Sequence, residues 1–307
     1  MRLTILIPAL GSIKKLEDTL VSVLTHRPAK SQIVVVLGVP YDDQYGLRGE
    51  VCFVETVHGA GMAECLNAGL AVSRGPIVHV LGCGVEVSPE WFKPVFPHFH
   101  EAQVAAVAPV IFDRFRPQRI ISAGVGYRSS GAAWRLSYHR RSGATPCEQA
   151  EWFGPDLLAA FYRKSALESI GGFNPAYGDD LAAVDCALAL RRAGYRTVSE
   201  SASVTWASRK EVRRGLRLGH GRENERLFWH WASQLGRSGT YWDHAGLWAG
   251  EFFEGVLQPA AWVRLGGRFW EILKIPFGDR TGVSPNRLAS PGGKEVAHSP
   301  LTLRKAS

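Results

Sequence analysis

The segment from residue 59 to 84 most constrains what this chain folds into, because its hydrophobic period changes part-way along. Met62, Cys65, Leu66, Gly69 and Leu70 recur at three- and four-residue spacing, the period of one buried helix face. Gly75-Pro76 ends that pattern, since proline cannot continue a helix. Residues 77–81, Ile-Val-His-Val-Leu, follow as a short run with an apolar bias and lead into Gly82-Cys83-Gly84. In α/β units of this kind the carboxyl ends of the strands face ligands in a crevice of the sheet. The Gly-Cys-Gly turn is therefore expected in the site.

The same alternation runs through the first hundred residues. Strands are expected at residues 3–8, 33–37, 51–55, 77–81 and 104–109, which argues a mostly parallel sheet covered on both faces. Residues 119–138, with Gly124, Gly126 and Gly131 among short alternating segments, read as a hairpin insertion beside the site, and residues 157–163 as a strand returning to the sheet. Leu181, Val184, Leu188 and Arg191 fall on one side of a helix. Its end at Arg191, Arg192 and Gly194 suits a negative dipole and a left-handed cap.

In this order the landmarks resemble the family 2 glycosyltransferases, which share the GT-A fold. Leu3-Thr4-Ile5-Leu6-Ile7-Pro8 resembles the first strand, and Asn67-Ala68-Gly69-Leu70 the "arginine-asparagine-x-glycine" helix. Ser122-Ala123-Gly124-Val125 is similar to a segment of many bacterial members. Ala166-Leu167 with Gly171-Gly172-Phe173-Asn174 resembles the acceptor-side loop, and Arg191-Arg192-Ala193-Gly194 the helix behind the catalytic base. The resemblance covers roughly residues 1–215 and rests on the order of many weak motifs. It implies a GT-A-like, mostly parallel sheet flanked by helices, with a C-terminal helical extension. It also implies a nucleotide-sugar donor, a glycan or lipid-linked acceptor of the bacterial envelope, and transfer with inversion. Pro8, Asn67, Gly82 and Gly84 would border the donor.

Several positions depart from the family pattern. Where the family places an aspartate-x-aspartate metal motif, this chain has Gly82-Cys83-Gly84, with Glu86 the nearest acid. A hard cation wants several oxygen ligands, so no divalent metal is expected here and the nucleotide sugar is the one co-substrate implied. The nucleobase aspartate at the end of the second strand is replaced by Leu37-Gly38, with Asp42 and Asp43 downstream as substitutes. Leu66 stands for the helix arginine and Trp206 for the metal-ligating histidine. The glutamate-aspartate pair holding the general base corresponds to Ala182 and Ala183, so Asp180, then Asp179, is the candidate base; Asp185 reads as structural. Arg209 and Lys210 are best placed to neutralise the diphosphate, with Arg114, Arg116 or Arg119 next, since arginine forks onto phosphate oxygens. Two functions follow: a metal-independent inverting glycosyltransferase, or a catalytically silent relative acting as a binding or scaffold subunit.

The net charge of +8 is concentrated: residues 113–141 hold seven arginines against Asp113, and residues 209–226 seven bases against three glutamates. These clusters suit a diphosphate or an anionic lipid surface; without a recognition helix or RNA-binding signature, nucleic acid is not expected. Residues 1–208 read as the catalytic-type domain and residues 209–277 as a basic, then aromatic, helical extension. That extension is either packed on the core or laid on a membrane surface. Residues 278–307 read as a flexible tail. Apolar runs are too short to span a bilayer. Cys52, Cys65, Cys83, Cys147 and Cys186 lack metal-site spacing, so reduced thiols in a cytoplasmic chain are expected, with peripheral contact at the inner membrane face as an alternative.

Overall fold

A computed structural model describes residues 2–57, 59–136, 138–139, 152–208, 220–235, 240–257, 259–274 and 294–295. Its organising element is a sheet whose first half is parallel. β1 (Leu3–Ala9) lies between β2 (Gln32–Leu37) and β4 (Ile77–Leu81), and β3 (Val51–Glu55) follows β2, all in the same direction. Between them the chain returns through α1 (Ile13–His26) and α2 (Met62–Val72). Strand residues alternate between two cores. Leu6, Val34, Val36 and Val54 face one cluster, while Leu3, Ile5, Ile7, Val35 and Phe53 face the other. Burial on both faces is why these strands read as continuous apolar runs.

The second half of the sheet mixes directions. After β5 (Glu86–Val87), β6 (Val104–Asp113) is reached. β12 (Ala159–Arg163) inserts antiparallel to both β4 and β6, and β13 (Arg196–Ala207) runs parallel to β6 with register shifts along its length. The end of β13 closes against β5, pairing Thr205 with Val87 and Trp206 with Glu86. β7 (Arg116–Ser122) and β10 (Tyr138–His139) extend this edge. The expected hairpin insertion at residues 119–138 is divided: its ends fall in β7 and β10 of the large sheet, and its middle forms a separate three-stranded sheet, with β8 (Val125–Tyr127) between β9 (Ala133–Arg135) and β11 (Trp152–Gly154).

Close packing explains two glycines. A Cβ on Gly69 would stand 2.0 Å from Leu6 Cδ1, so α2 reaches its depth on the sheet only without a side chain there. Gly84 has φ +90°, a left-handed conformation that favours glycine.

The short α3 (Lys164–Ser169) and the longer α4 (Asp179–Arg192) follow β12. Beyond them lie α5 (His220–Leu235), α6 (Thr240–Leu257) and α7 (Pro259–Lys274). α5 belongs to the main body: Leu227 and Trp231 are buried in the same core as α2 and α4. Trp231 Nε1 donates to the buried Asp185 at 3.0 Å, and Gly178 N at the start of α4 donates to Glu223 at 3.0 Å. The helical extension is thus continuous with the core at α5. Most of residues 278–307 lie outside the described residues; Lys294–Glu295 forms β14, antiparallel to β3.

Candidate active site at the carboxyl edge of the sheet

β1, β2, β3, β4, β6 and β13 all end on one edge, and antiparallel β12 begins there. The loops leaving these strands meet at that edge, the place where open α/β sheets bind ligands.

At the β2–β3 end a depression of about 250 Å³ is lined by Leu37, Gly38, Val39, Pro40, Tyr41, Glu55 and Thr56. Small-molecule pockets usually run from ~300 Å³ upward, so this volume suits a single ring system and not a whole nucleotide sugar. Tyr41 stacks on Phe53 at 5.3 Å, and burial, then the charge of Asp43, raises its hydroxyl pKa. Asp43, one of the proposed nucleobase substitutes, is committed locally: its carboxylate accepts the backbone N–H groups of Leu47 at 2.8 Å and Arg48 at 3.1 Å. Asp42 is exposed nearby and is not among the residues lining the depression.

The Gly82-Cys83-Gly84 turn is tied down on both sides. Gly82 N donates to Leu158 O at 2.9 Å, and Gly84 N donates to Thr19 Oγ1 of α1 at 2.9 Å. Cys83 donates its thiol proton to the carbonyl of Pro8 at 3.3 Å; burial pushes this thiol up to about 12, so it stays protonated. Pro8 therefore meets the turn through its backbone. Beside it, Arg114 at the end of β6 forms an ion pair with Glu86 at 2.6 Å, and its Nη2 approaches Gly84 O at 3.5 Å. Arg114 Nε is buried without a hydrogen-bond partner among the described residues.

These groups do not fit a divalent cation. Two glycines and a neutral thiol offer no carboxylate, and Glu86 beside them is already balanced by a guanidinium. Hard cations take six or more oxygen ligands and are poorly served by sulfur. Trp206, at the histidine-like position, packs against Phe112 at 5.4 Å and donates from Nε1 to Ser88 Oγ at 2.8 Å.

Asn67 is buried; its Nδ2 donates to Phe173 O and its Oδ1 accepts from Phe173 N, both at 2.8 Å. These bonds lock α2 to the Gly171-Gly172-Phe173 loop. Ala182 and Ala183 are buried in the core. Asp179 and Asp180 form the first turn of α4 after the Gly178 cap; their side chains lie outside the described residues, as do Arg209, Lys210 and Cys147. Arg114, expected only as a second choice, reaches the turn, as does Lys15, whose charge acts on the Cys83 thiol.

Two buried clusters were not legible as sites. Asp156 accepts from Ser122 Oγ at 2.6 Å, from Leu158 N at 2.9 Å and from Arg135. It thereby fixes the loop whose Leu158 carbonyl holds Gly82. The signal was a lone acid after Gly154-Pro155 in an otherwise apolar stretch. Farther off, Glu225 on α5 is fully buried, with His244, Arg268 and Trp229 on its oxygens.

No protein-family profile and no curated protein sequence matches the chain. Solved structures do. The mannosyltransferase PcManGT from Pyrobaculum calidifontis, in complex with GDP-Man and Mn2+, aligns with TM-score 0.55 and 17% identity over 89% of this chain and 84% of that one. The chain has a GT-A-like fold. GalNAc-T7 with UDP, GalNAc and Mn2+ aligns with TM-score 0.53 and 14% identity over 68% of this chain, and S. aureus TarS 1-349 with TM-score 0.50 and 14% identity over 75%. The chain spans 44% of the GalNAc-T7 chain and 64% of the TarS 1-349 chain. Within the GT-A-like fold, the 82–86 turn occupies the edge where β1 and β4 end side by side.

Proposed function

We propose that the protein is a glycosyltransferase that takes a nucleotide-sugar donor at the carboxyl edge of β1 to β4 and uses arginine, not a carboxylate-held metal, against the diphosphate. The observation that supports this reading is the Arg114 guanidinium beside the carboxylate-free Gly82-Cys83-Gly84 segment, where it reaches Gly84 O and pairs with Glu86. The ring of the nucleobase enters the depression beside Tyr41 and the diphosphate passes toward Arg114, with Arg209 and Lys210 adding charge from the segment after β13. An acceptor hydroxyl of a glycan or lipid-linked glycan then attacks the anomeric carbon as the bond to the diphosphate breaks, inverting the centre. Its proton passes to Asp180 or Asp179, and the departing negative charge is met by the guanidinium, whose fork suits phosphate oxygens.

A second reading, a silent GT-A-like scaffold, draws on the burial of Ala182 and Ala183 where the family resemblance puts the base. Binding of UDP- and GDP-sugars, measured by calorimetry with and without EDTA, separates the two. The first reading expects binding that survives chelation and weakens at least ~10-fold in Arg114→Ala, the loss of one charge-assisted contact. Binding abolished by EDTA and restored by Mn2+ refutes the arginine route. No binding and no hydrolysis of any nucleotide sugar leaves the scaffold.

A further inference from the structure

Asp179 and Asp180 open the first turn of α4, and α5 fixes where that turn begins. Glu223 Oε2 accepts the Gly178 N–H at 3.0 Å, immediately ahead of the helix. Eight residues along α5, Trp231 Nε1 donates to Asp185 at 3.0 Å, seven residues beyond Gly178. At ~1.5 Å of rise per residue these two spacings nearly match, so α5 runs beside α4 like a splint and sets its axial position. Gly178 makes the close approach possible, since a Cβ there would stand 2.9 Å from the Glu223 oxygen. Its own carbonyl accepts from Ala182 N at 2.7 Å, which starts the helix. One turn further along α5 from Glu223, Arg226 Nη1 donates to Ala176 O at 3.3 Å, so the same helix grips the loop that enters α4 at a second point.

Arg226 is held in turn by α7. Its Nε and Nη2 donate to Glu271 Oε1 at 2.9 and 2.6 Å, and Arg222 Nε reaches the other oxygen at 3.3 Å. Glu271 is buried, and α5 and α7 meet backbone to backbone: a Cβ on Gly221 would lie 2.1 Å from Arg264 O. On its other side α4 packs against the segment that holds the Gly82 turn. A Cβ on Gly154 would lie 2.5 Å from Ala187 Cβ, and Leu158, four residues on from Gly154, accepts from Gly82 N. We propose that Glu223 and Arg226 are positioning residues for the base at the start of α4, with Glu271 of α7 acting through Arg226. The inference rests on the reading above, in which Asp180 or Asp179 takes the acceptor proton. Both side chains bond backbone groups of the loop, Gly178 N and Ala176 O, and so act on where the first turn stands. A displacement of ~1 Å in a reacting group can cost ~100-fold in rate. The helices after β13 are on this account part of the transferring unit.

The test is steady-state hydrolysis of UDP- and GDP-sugars by the full chain, with nucleotide affinity from calorimetry and amide exchange over residues 175–182. Arg226→Ala and Glu271→Ala are expected to lower kcat at least ~10-fold while KM and nucleotide affinity stay at wild-type values, because the donor contacts lie at the other strand ends. Arg226→Lys recovers part of the loss. Glu223→Gln keeps most of kcat, since its amide oxygen still accepts the Gly178 N–H, whereas Glu223→Ala does not. Exchange over residues 175–182 speeds up in the alanine variants and not in Glu223→Gln. Wild-type kcat in Arg226→Ala overturns the proposal, as does a loss of kcat without faster exchange in that loop. A Glu223→Gln variant as impaired as Glu223→Ala overturns it too, by making the carboxylate itself the reacting group. Hydrolysis that Asp179→Asn or Asp180→Asn abolishes but Arg226→Ala spares removes this inference alone; a wild-type chain that hydrolyses no nucleotide sugar removes the transfer reading and this inference with it.

Discussion

Asn67→Ala tests whether this helix amide is scaffold or ligand. The wild-type side chain satisfies the N–H and the C=O of Phe173 at 2.8 Å each, in a site closed to solvent. Alanine leaves both backbone groups buried and unpaired. Each unpaired group costs about 1–3 kcal/mol, so the pair costs about 2–6 kcal/mol, a large part of the ~5–15 kcal/mol that holds a typical domain folded. Asn67→Asp is more specific: one oxygen still accepts the Phe173 N–H, but the other now faces the Phe173 carbonyl. At neutral pH it should be at least as destabilising as alanine, and it should recover as pH falls and the buried carboxyl gains the proton it needs to donate. Urea denaturation followed by tryptophan fluorescence reads both, with the m-value checked for constancy. The scaffold reasoning also requires any nucleotide affinity of the folded fraction to stay unchanged. An alanine variant within about 0.5 kcal/mol of wild type, but with weakened nucleotide binding, would refute it and return Asn67 to the site.

Gly69→Ala should destabilise by about 1–3 kcal/mol or more, because the new methyl overlaps Leu6 and α2 must lift from the sheet; a neutral result in thermal melts would show that the helix seats less deeply. Glu225→Gln probes the buried charges. Burial by itself would raise the Glu225 carboxyl, but hydrogen bonds and charge from His244 and Arg268 outweigh it and hold the pKa below its ordinary value. A carboxyl lowered in the folded state contributes stability above the unfolded value near 4.5 and loses it as pH falls through the folded value. The variant should therefore be about 3 kcal/mol less stable at pH 7, with the gap narrowing in acid. Urea midpoints whose separation is the same at pH 7 and at about pH 3 would contradict that assignment.

The strands at residues 51–55 and 77–81 were legible to the residue, because runs buried on both faces carry their signal in local composition. The end of α4 after Arg192 was legible for a similar reason, since its left-handed glycine, Gly194, lies two residues on. The missing carboxylates at residues 82–84 were equally plain, being a matter of residue type. What occupies their place was not. Arg114 and Glu86 are 28 residues apart, and only the run of β6 alongside β13 and the pairing of β13 with β5 bring them together. Asn67 looked like a motif residue until its amide was found across from Phe173, 106 residues on. The charges and tryptophans of residues 220–274 spelled out amphipathic helices, yet their sequence could not say which face turns inward. Packing decided that: Glu225 is buried on α5, and a buried carboxylate draws His244 and Arg268 to it, leaving the aromatic rings of α6 and α7 outside. The sequence by itself determined the order of elements and the absence of the usual acids; the tertiary structure decided which cations meet the turn and which side of the helical pair faces outward, because both depend on contacts between residues far apart in the chain.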